Sequence, residues 1–112
     1  MAIEHCVVFC TCPDAITAAS ISTQLLQESL IACVNIVPQI SSIYFWEGKV
    51  TSGEEVLMIM KTRKDKLVGL EKALVAIHPY EFPEFIAMPI IYGNSKYLSW
   101  VDEVVGVPVK KD

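Results

Sequence analysis

The spacing of hydrophobic and polar residues changes several times along the chain, and each change marks the boundary of a predicted element. Residues 5–12 (HCVVFCTC) are apolar, β-branched and aromatic and stop at Pro13, which is typical of a β-strand. Beyond this proline, small and apolar residues recur with the period of a helix as far as Leu30, and Asp14 is well placed to cap its N-terminus. The chain therefore begins with a predicted strand and a predicted amphipathic helix.

The middle of the chain predicts a β-hairpin. Residues 32–50 are rich in β-branched and aromatic side chains and indicate a long strand with a kink at Pro38. Gly48 or Gly53 supplies the turn, and residues 54–63 (EEVLMIMKTR) form the return strand. Because the return strand is apolar at successive positions, we expect both of its faces to be buried.

The last third predicts a helix, a strand and a short terminal helix. Asp65 can cap the helix, which ends before Pro79. Its apolar stripe consists of Leu67, Leu70, Leu74 and Ile77. Residues 84–93 (EFIAMPIIYG) predict the strand and residues 96–105 (KYLSWVDEVV) the terminal helix. The order β-α-β-β-α-β predicts an α+β fold of the ferredoxin-like, split β-α-β type, and we expect residues 1–112 to form a single domain.

The handedness of such a fold predicts which loops lie together. The end of the first strand, the tip of the hairpin and the end of the second helix all reach one edge of the sheet. This edge carries Cys10, Cys12, Tyr44, Trp46 and residues 78–84 (HPYEFPE). We therefore expect a binding site, if the chain has one, at this edge.

The composition is unusually apolar for a small domain. The chain has 112 residues, of which 53% are hydrophobic and 20% are charged, and its mean hydropathy is +0.43. Pro38 and Pro89 interrupt the most apolar stretches, and none reaches the roughly 20 residues of a membrane-spanning helix. We therefore expect no membrane partner and assign the apolar surplus to a subunit interface, with Tyr44, Trp46 and Trp100 as aromatic anchors.

The charge and the motifs of the chain argue against several classes of function. A net charge of −4, a pI of about 5.1 and the lack of a basic patch argue against a nucleic-acid partner. The N-terminus carries Glu4 and no positive region, so we expect no signal peptide, a cytoplasmic protein and four free thiols. The sequence has no P-loop, dinucleotide-binding or hydrolase motif, and we expect no enzyme activity.

Four residues at the predicted edge are candidate metal ligands: Cys10, Cys12, His78 and Glu81. Thiolates beside an imidazole suit Cu(I), and an imidazole with a carboxylate suits Cu(II). The structural alternative is that the cysteines are small buried hydrophobic residues, and that His78 favours a helix C-terminus through its partial positive charge. Lys61 is either a charge at a strand end or a contact for an anion in a cleft between subunits.

Six segments, in this order, resemble the CutA family of divalent-cation-tolerance proteins: CTCPD, ACVNIVP, SIYFWEGK, EVLMIMKT, HPYEFPE and YLSW. The resemblance runs from about Val8 to Trp100. It implies a ferredoxin-like fold in a compact homotrimer, with hairpins that reach across neighbouring subunits. It also implies binding of copper or another divalent cation by Cys10 and His78. The family has a histidine where this chain has Ile77, so one donor is lost, and Glu81 or Cys12 is the candidate substitute.

Two other functions stay open at this point. The first is a sensor similar to the trimeric PII-type signalling proteins, which would bind a small anionic metabolite between subunits through Lys61. The second is a structural or assembly role, in which the stable trimer is itself the function.

Overall fold

The computed structural model describes residues 3–106, so both ends of the predicted 1–112 domain lie outside the described residues. The strands are β1 (His5–Cys12), β2 (Cys33–Trp46), β3 (Lys49–Arg63) and β4 (Ile86–Pro89). The helices are α1 (Ala15–Gln27), α2 (Leu67–Ile77) and α3 (Ser95–Val104). The strands form one antiparallel sheet in the order β2-β3-β1-β4. The predicted α+β class and the predicted order of elements are confirmed.

The hairpin of β2 and β3 is longer than the rest of the sheet. Only residues 56–63 of β3 pair with β1, so the distal part of the hairpin, residues 40–55, extends past the end of β1; we call it the hairpin arm. Its turn consists of Glu47 and Gly48, whose φ angles are 51° and 78°. Two positive φ angles are the requirement of a tight hairpin turn whose twist matches its strands, and glycine meets it at no steric cost. The turn is therefore at Gly48, and Gly53 lies within β3.

A β-bulge separates the arm from the core of the sheet. Val37 pairs with Leu57, and the next paired residue of β2, Ile40, lies opposite Glu55. The strand β2 thus contains one extra residue, and Gln39 adopts a φ of 56° there. The predicted kink at Pro38 is this bulge, because proline has no N–H to give to the ladder.

The core lies between one face of the sheet and helices α1 and α2. Alternate residues of β1 and β3 point into it, and the predicted stripe of α2 supplies Leu70 and Leu74. The buried residues of the core are Val8, Cys10, Cys12, Ala18, Ile21, Leu25, Ile31, Val56, Met58, Met60, Leu70 and Leu74. The outer face of β3, with Leu57 and Ile59, is only half-buried. The prediction that both faces of β3 are buried is therefore wrong for a single chain, because α1 and α2 cover one face alone.

Several predicted boundaries differ from the structure: α1 ends at Gln27 rather than at Leu30, and β3 begins at Lys49 rather than at residue 54. Asp65 does not cap α2, which begins at Leu67 without a side-chain cap. The carboxylate of Asp65 instead accepts a hydrogen bond from Arg63 Nε at 3.2 Å. The strand β4 is four residues long rather than ten, and it ends at Pro89, which has no N–H for the ladder. By contrast, the predicted cap of α1 is confirmed, since Asp14 Oδ1 accepts the N–H of Thr17 at 2.7 Å.

The helix α3 packs against β3 and against the residue that precedes β2, where Val101 and Val105 form a buried cluster with Ala32. It begins at a cap formed by Asn94, whose side chain accepts the N–H of Tyr97 at 3.0 Å. Among residues 3–106, the helices all lack the length and apolar character needed to cross a membrane.

Candidate functional site

Cys10, Cys12 and His78 come together at the predicted edge of the sheet, and we call them the Cys–His cluster. The two cysteines are the last two inward-facing residues of β1, and His78 follows the last residue of α2. Their side-chain donor atoms all lie within 4.8 Å of one another. Cys10 and Cys12 have no exposed surface, and His78 is 8% exposed. The topological prediction that these three residues meet is confirmed.

Hydrogen bonds fix the tautomer of His78. The backbone N–H of Tyr80 donates to Nδ1 at 3.1 Å, so Nδ1 carries a lone pair. Nε2 lies 2.8 Å from the carbonyl oxygen of Thr11, which can only accept. The proton of the neutral ring is therefore on Nε2 and is donated to Thr11. His78 thus ties the end of α2 to the end of β1.

The two thiols of the cluster differ in the direction in which their pKa values are shifted. A hydrogen bond with Cys12, together with burial, raises the pKa of Cys10, and the nearby carboxylates of Glu84 and Glu55 raise it further. The same hydrogen bond lowers the pKa of Cys12, although burial acts in the opposite direction. Cys12 therefore loses its proton before Cys10.

A third sulfur atom, that of Met58, lies close to the two thiols. Met58 lies directly across from Cys10 in the β1–β3 register, and its Sδ is 3.3 Å from the Sγ of Cys12. Cys12 Sγ is also 3.7 Å from His78 Nε2. Sequence reasoning missed Met58, and the signal that could have found it is the pairing of inward-facing positions between β1 and β3.

A cavity of about 700 Å³ lies beside the cluster, between the hairpin arm and residues 79–84. Its aromatic lining consists of Tyr44, Trp46, Tyr80 and Phe82, and its carboxylates are Glu55, Glu81 and Glu84. Among the described residues that line it, none is basic. We call it the acidic cavity, and its charge favours cations over anions.

Tyr80 lines the acidic cavity and also contacts His78 of the Cys–His cluster. Its ring lies 4.8 Å from the ring of His78, centroid to centroid. Its hydroxyl donates to Glu55 Oε2 at 2.6 Å. Burial and this hydrogen bond to a carboxylate raise the pKa of Tyr80 above its usual value. The phenol therefore stays protonated and holds the 79–84 segment against the hairpin arm.

The other predicted site residues lie outside the cluster. Glu81 is exposed on the wall of the acidic cavity, and Ile77 packs against the core. Lys61 is on the outer face of β3, where its Nζ donates to the side-chain oxygen of Asn35. Of the two candidate substitutes for the missing histidine, Cys12 lies in the cluster and Glu81 does not.

The predicted interface aromatics are substantially exposed in the single chain. Tyr44 and Trp46 of the hairpin arm are 45% and 44% exposed, and Trp100 of α3 is 42% exposed. Trp46 contacts Phe82 edge-on at 6.2 Å between centroids, and Trp100 lies 5.7 Å from Tyr97. Cys33, at the start of β2, is half-buried, with its Sγ 3.3 Å from the Tyr97 hydroxyl.

A polar cluster at the opposite edge was also missed by sequence reasoning. Asp102 of α3 accepts hydrogen bonds from Arg63 at 2.7 Å and from His5 at 2.8 Å through the same oxygen. His5, the first residue of β1, is therefore half-buried and paired with Asp102. No local pattern predicts this contact, because His5 and Asp102 are 97 positions apart.

Comparison with known proteins agrees with this fold. The model of the family described as CutA1 divalent ion tolerance protein matches residues 6–104. The divalent-cation tolerance protein CutA of Thermus thermophilus is 43% identical over 100 residues, which cover 89% of this chain and 97% of that protein. The crystal structure of divalent ion tolerance protein CutA1 from Ehrlichia chaffeensis has a TM-score of 0.89 and 32% identity, and the match covers 96% of this chain and 100% of that one.

Some relatives are much longer than the region they share with this chain. The CutA homolog of Xenopus laevis is 44% identical over 97 residues, which are 87% of this chain but 64% of that protein. The chain spans little more than half the length of the mouse and human CutA proteins. The shared region nevertheless includes nearly all of the fold described above, from β1 to α3. The chain therefore belongs to the CutA1 divalent ion tolerance protein family.

Proposed function

We propose that this chain is a cytoplasmic, non-catalytic metal-binding protein of cation tolerance, and that copper is the ion bound at the Cys–His cluster. The observation that carries the proposal is the convergence of two thiols and an imidazole, with donor atoms within 4.8 Å of one another. Thiolate and imidazole donors suit copper, and the family description supports a role with divalent ions. Binding would retain the ion in a buried place and so lower its free concentration.

The residues present fit a copper ion in their donor chemistry. Sulfur and nitrogen donors predominate at the cluster, while the carboxylates lie in the adjacent acidic cavity. A thiol must lose its proton to become a ligand, so copper binding releases protons and strengthens as the pH rises. The acidic cavity would attract the cation to the neighbourhood of the cluster.

Replacement of Cys10 by serine tests the metal-binding proposal. We expect the Cys10→Ser variant to bind copper at least tenfold more weakly than the unsubstituted chain, because a hydroxyl is a much poorer ligand for copper than a thiolate. Calorimetric titration under reducing conditions measures the affinity. Cys33→Ser is the matched control, because it removes a thiol that lies outside the cluster. Equal affinity in Cys10→Ser and Cys33→Ser would refute binding at the cluster.

We also propose that the chain forms a ferredoxin-like homotrimer. The strand order β2-β3-β1-β4 supports the ferredoxin-like topology. Two surfaces support the assembly: the half-buried outer face of the sheet and the exposed apolar side chains of the hairpin arm. The latter are Ile43 (74% exposed), Tyr44, Phe45 (75%), Trp46 and Val50 (68%). Large apolar patches of this kind are typical of protein interfaces.

The assembly proposal predicts a mass close to three times the 12.5 kDa of one chain in light scattering on a sizing column. Trp46→Ala is expected to weaken the trimer, since truncation of an interface tryptophan often costs about 2 kcal/mol or more. Val68→Ala is the control, because Val68 is 83% exposed near the start of α2, at the opposite end of β3 from the hairpin arm. A folded monomer, or a Trp46→Ala variant that dissociates no more readily than the control, would contradict the proposal.

The anion-sensor alternative has less support. The acidic cavity carries three carboxylates, which repel an anionic metabolite. Lys61, the predicted anion contact, is on the outer face of the sheet and already donates to Asn35. A purely structural role for the trimer would leave the Cys–His cluster without a function.

A further inference from the structure

The proton on His78 conflicts with a role for this residue as a ligand through Nε2. A metal at Nε2 needs the lone pair that the N–H occupies, so the proton would have to move to Nδ1. Nδ1 faces the N–H of Tyr80 at 3.1 Å, and two donors would then oppose each other. The carbonyl of Thr11 would also lose the hydrogen bond that it accepts at 2.8 Å. The lone pair of Nδ1 accepts the N–H of Tyr80 and Nε2 donates to Thr11, so both ring nitrogens are engaged and His78 is placed to form hydrogen bonds and not to bind an ion.

The sulfur atoms have no such conflict. Cys10, Cys12 and Met58 all point into the core from adjacent strands and have no exposed surface. Cys12 Sγ lies 3.3 Å from Met58 Sδ, and the two thiol sulfurs are within 4.8 Å of each other. A metal about 2.3 Å from each of three sulfurs in a plane would hold them about 4 Å apart. Two of the three sulfur–sulfur separations are therefore compatible with one shared ion, and the pairing of Cys10 with Met58 in the register places the third pair on the same face of the sheet.

This donor set selects the oxidation state of the ion. Thiolate and thioether sulfurs are soft ligands that favour Cu(I), whereas Cu(II) favours nitrogen and oxygen donors in tetragonal geometry. We propose, as a refinement that rests on the proposed function, that the chain binds a monovalent soft ion, Cu(I), through Cys10 Sγ, Cys12 Sγ and Met58 Sδ. His78 then acts as a positioning residue outside the ligand set: its Nε2–H joins α2 to β1 through the Thr11 carbonyl, and Nε2 lies 3.7 Å from the Sγ of Cys12.

Two buried methionines of β3 provide a matched test of the three-sulfur site. Met58 and Met60 both point inward with 0% exposure, but only Met58 contacts a cluster sulfur. Leucine has a similar volume and no sulfur, so each substitution preserves the packing. We expect Met58→Leu to bind Cu(I) about tenfold or more weakly and Met60→Leu to bind it as the unsubstituted chain does. The readout is competition with a chromogenic Cu(I) chelator under anaerobic, reducing conditions.

His78→Gln separates the two possible roles of the histidine. Glutamine keeps an N–H donor for Thr11 but offers no imidazole nitrogen, and we expect less than a threefold change in Cu(I) affinity. X-ray absorption of the Cu(I)-loaded, unsubstituted protein is expected to show only sulfur neighbours, at about 2.3 Å, and it requires no variant to fold.

The possible failures are distinguishable. If His78→Gln loses copper and Met58→Leu does not, or if absorption shows a nitrogen neighbour, the three-sulfur site is wrong while copper binding at the cluster stands. If the unsubstituted protein binds neither Cu(I) nor Cu(II), the proposed function fails, and this inference fails with it.

Discussion

Replacement of Leu25 by alanine is expected to lower the free energy of unfolding by about 3 kcal/mol. Leu25 has no exposed surface and packs in the same core cluster as Cys10, Cys12 and Met58. Truncation removes buried methyl groups and leaves a cavity that the surrounding side chains fill only in part. Urea denaturation followed by circular dichroism measures the loss as a lower transition midpoint.

Leu26→Ala is the matched control for this prediction. Leu26 is the next residue of α1, has the same chemistry and is 38% exposed. Truncation there leaves a gap that water can fill, so we expect a loss below about 1 kcal/mol. Equal losses in the two variants would show that α1 does not pack on the sheet through the face that contains Leu25.

Replacement of Asp102 by asparagine is expected to lower the free energy of unfolding by about 1–2 kcal/mol at neutral pH. The Asp102 side chain is 18% exposed, and one of its oxygens accepts from both Arg63 and His5. Asparagine has nearly the same shape but no charge, so Arg63 would lose a charge-assisted hydrogen bond in a partly buried place. Thermal unfolding of both forms at the same protein concentration measures the difference.

The pH dependence of stability checks the same carboxylate. Burial acts to raise the pKa of Asp102, but the hydrogen bonds and charges of Arg63 and His5 lower it below the usual value. Its contribution to stability is therefore present above the unfolded-state pKa of about 4 and is lost as the pH falls through the lower folded-state pKa. The advantage of the unsubstituted chain over Asp102→Asn should shrink on acidification below pH ~4. An advantage that stays constant across this range would contradict the role assigned to the charge.

The regular elements could be predicted because local periodicity determines them. The bounds of β1, the Asp14 cap and the α2 stripe follow from residues that are near one another in sequence. The start of α2 and the length of β4 could not be predicted, because contacts made elsewhere decide them. Asp65, for example, does not cap α2 because its carboxylate accepts a hydrogen bond from Arg63.

The location of the candidate site was also predictable, but its chemistry was not. Topology alone brings Cys10, Cys12 and His78 to one edge of the sheet. The proton on His78 depends on two hydrogen bonds, from the N–H of Tyr80 and to the carbonyl of Thr11, and these need atomic positions. The proximity of Met58 depends on the strand register, which a sequence pattern leaves open.

The bulge at Pro38 and Gln39 bears on how this architecture can vary. Between the bulge and the core, the buried residues of β3 fix the register of β2 and β3. Beyond the bulge, the two strands of the hairpin arm pair only with each other. Side chains in a strand alternate between its two faces. Insertion or deletion of two residues in each strand of the arm would therefore leave every remaining side chain on the same face of the hairpin. The arm can therefore change length in steps of about 7 Å without disturbance of the core. Its reach toward a neighbouring molecule is thus a quantity that evolution can adjust separately from the Cys–His cluster.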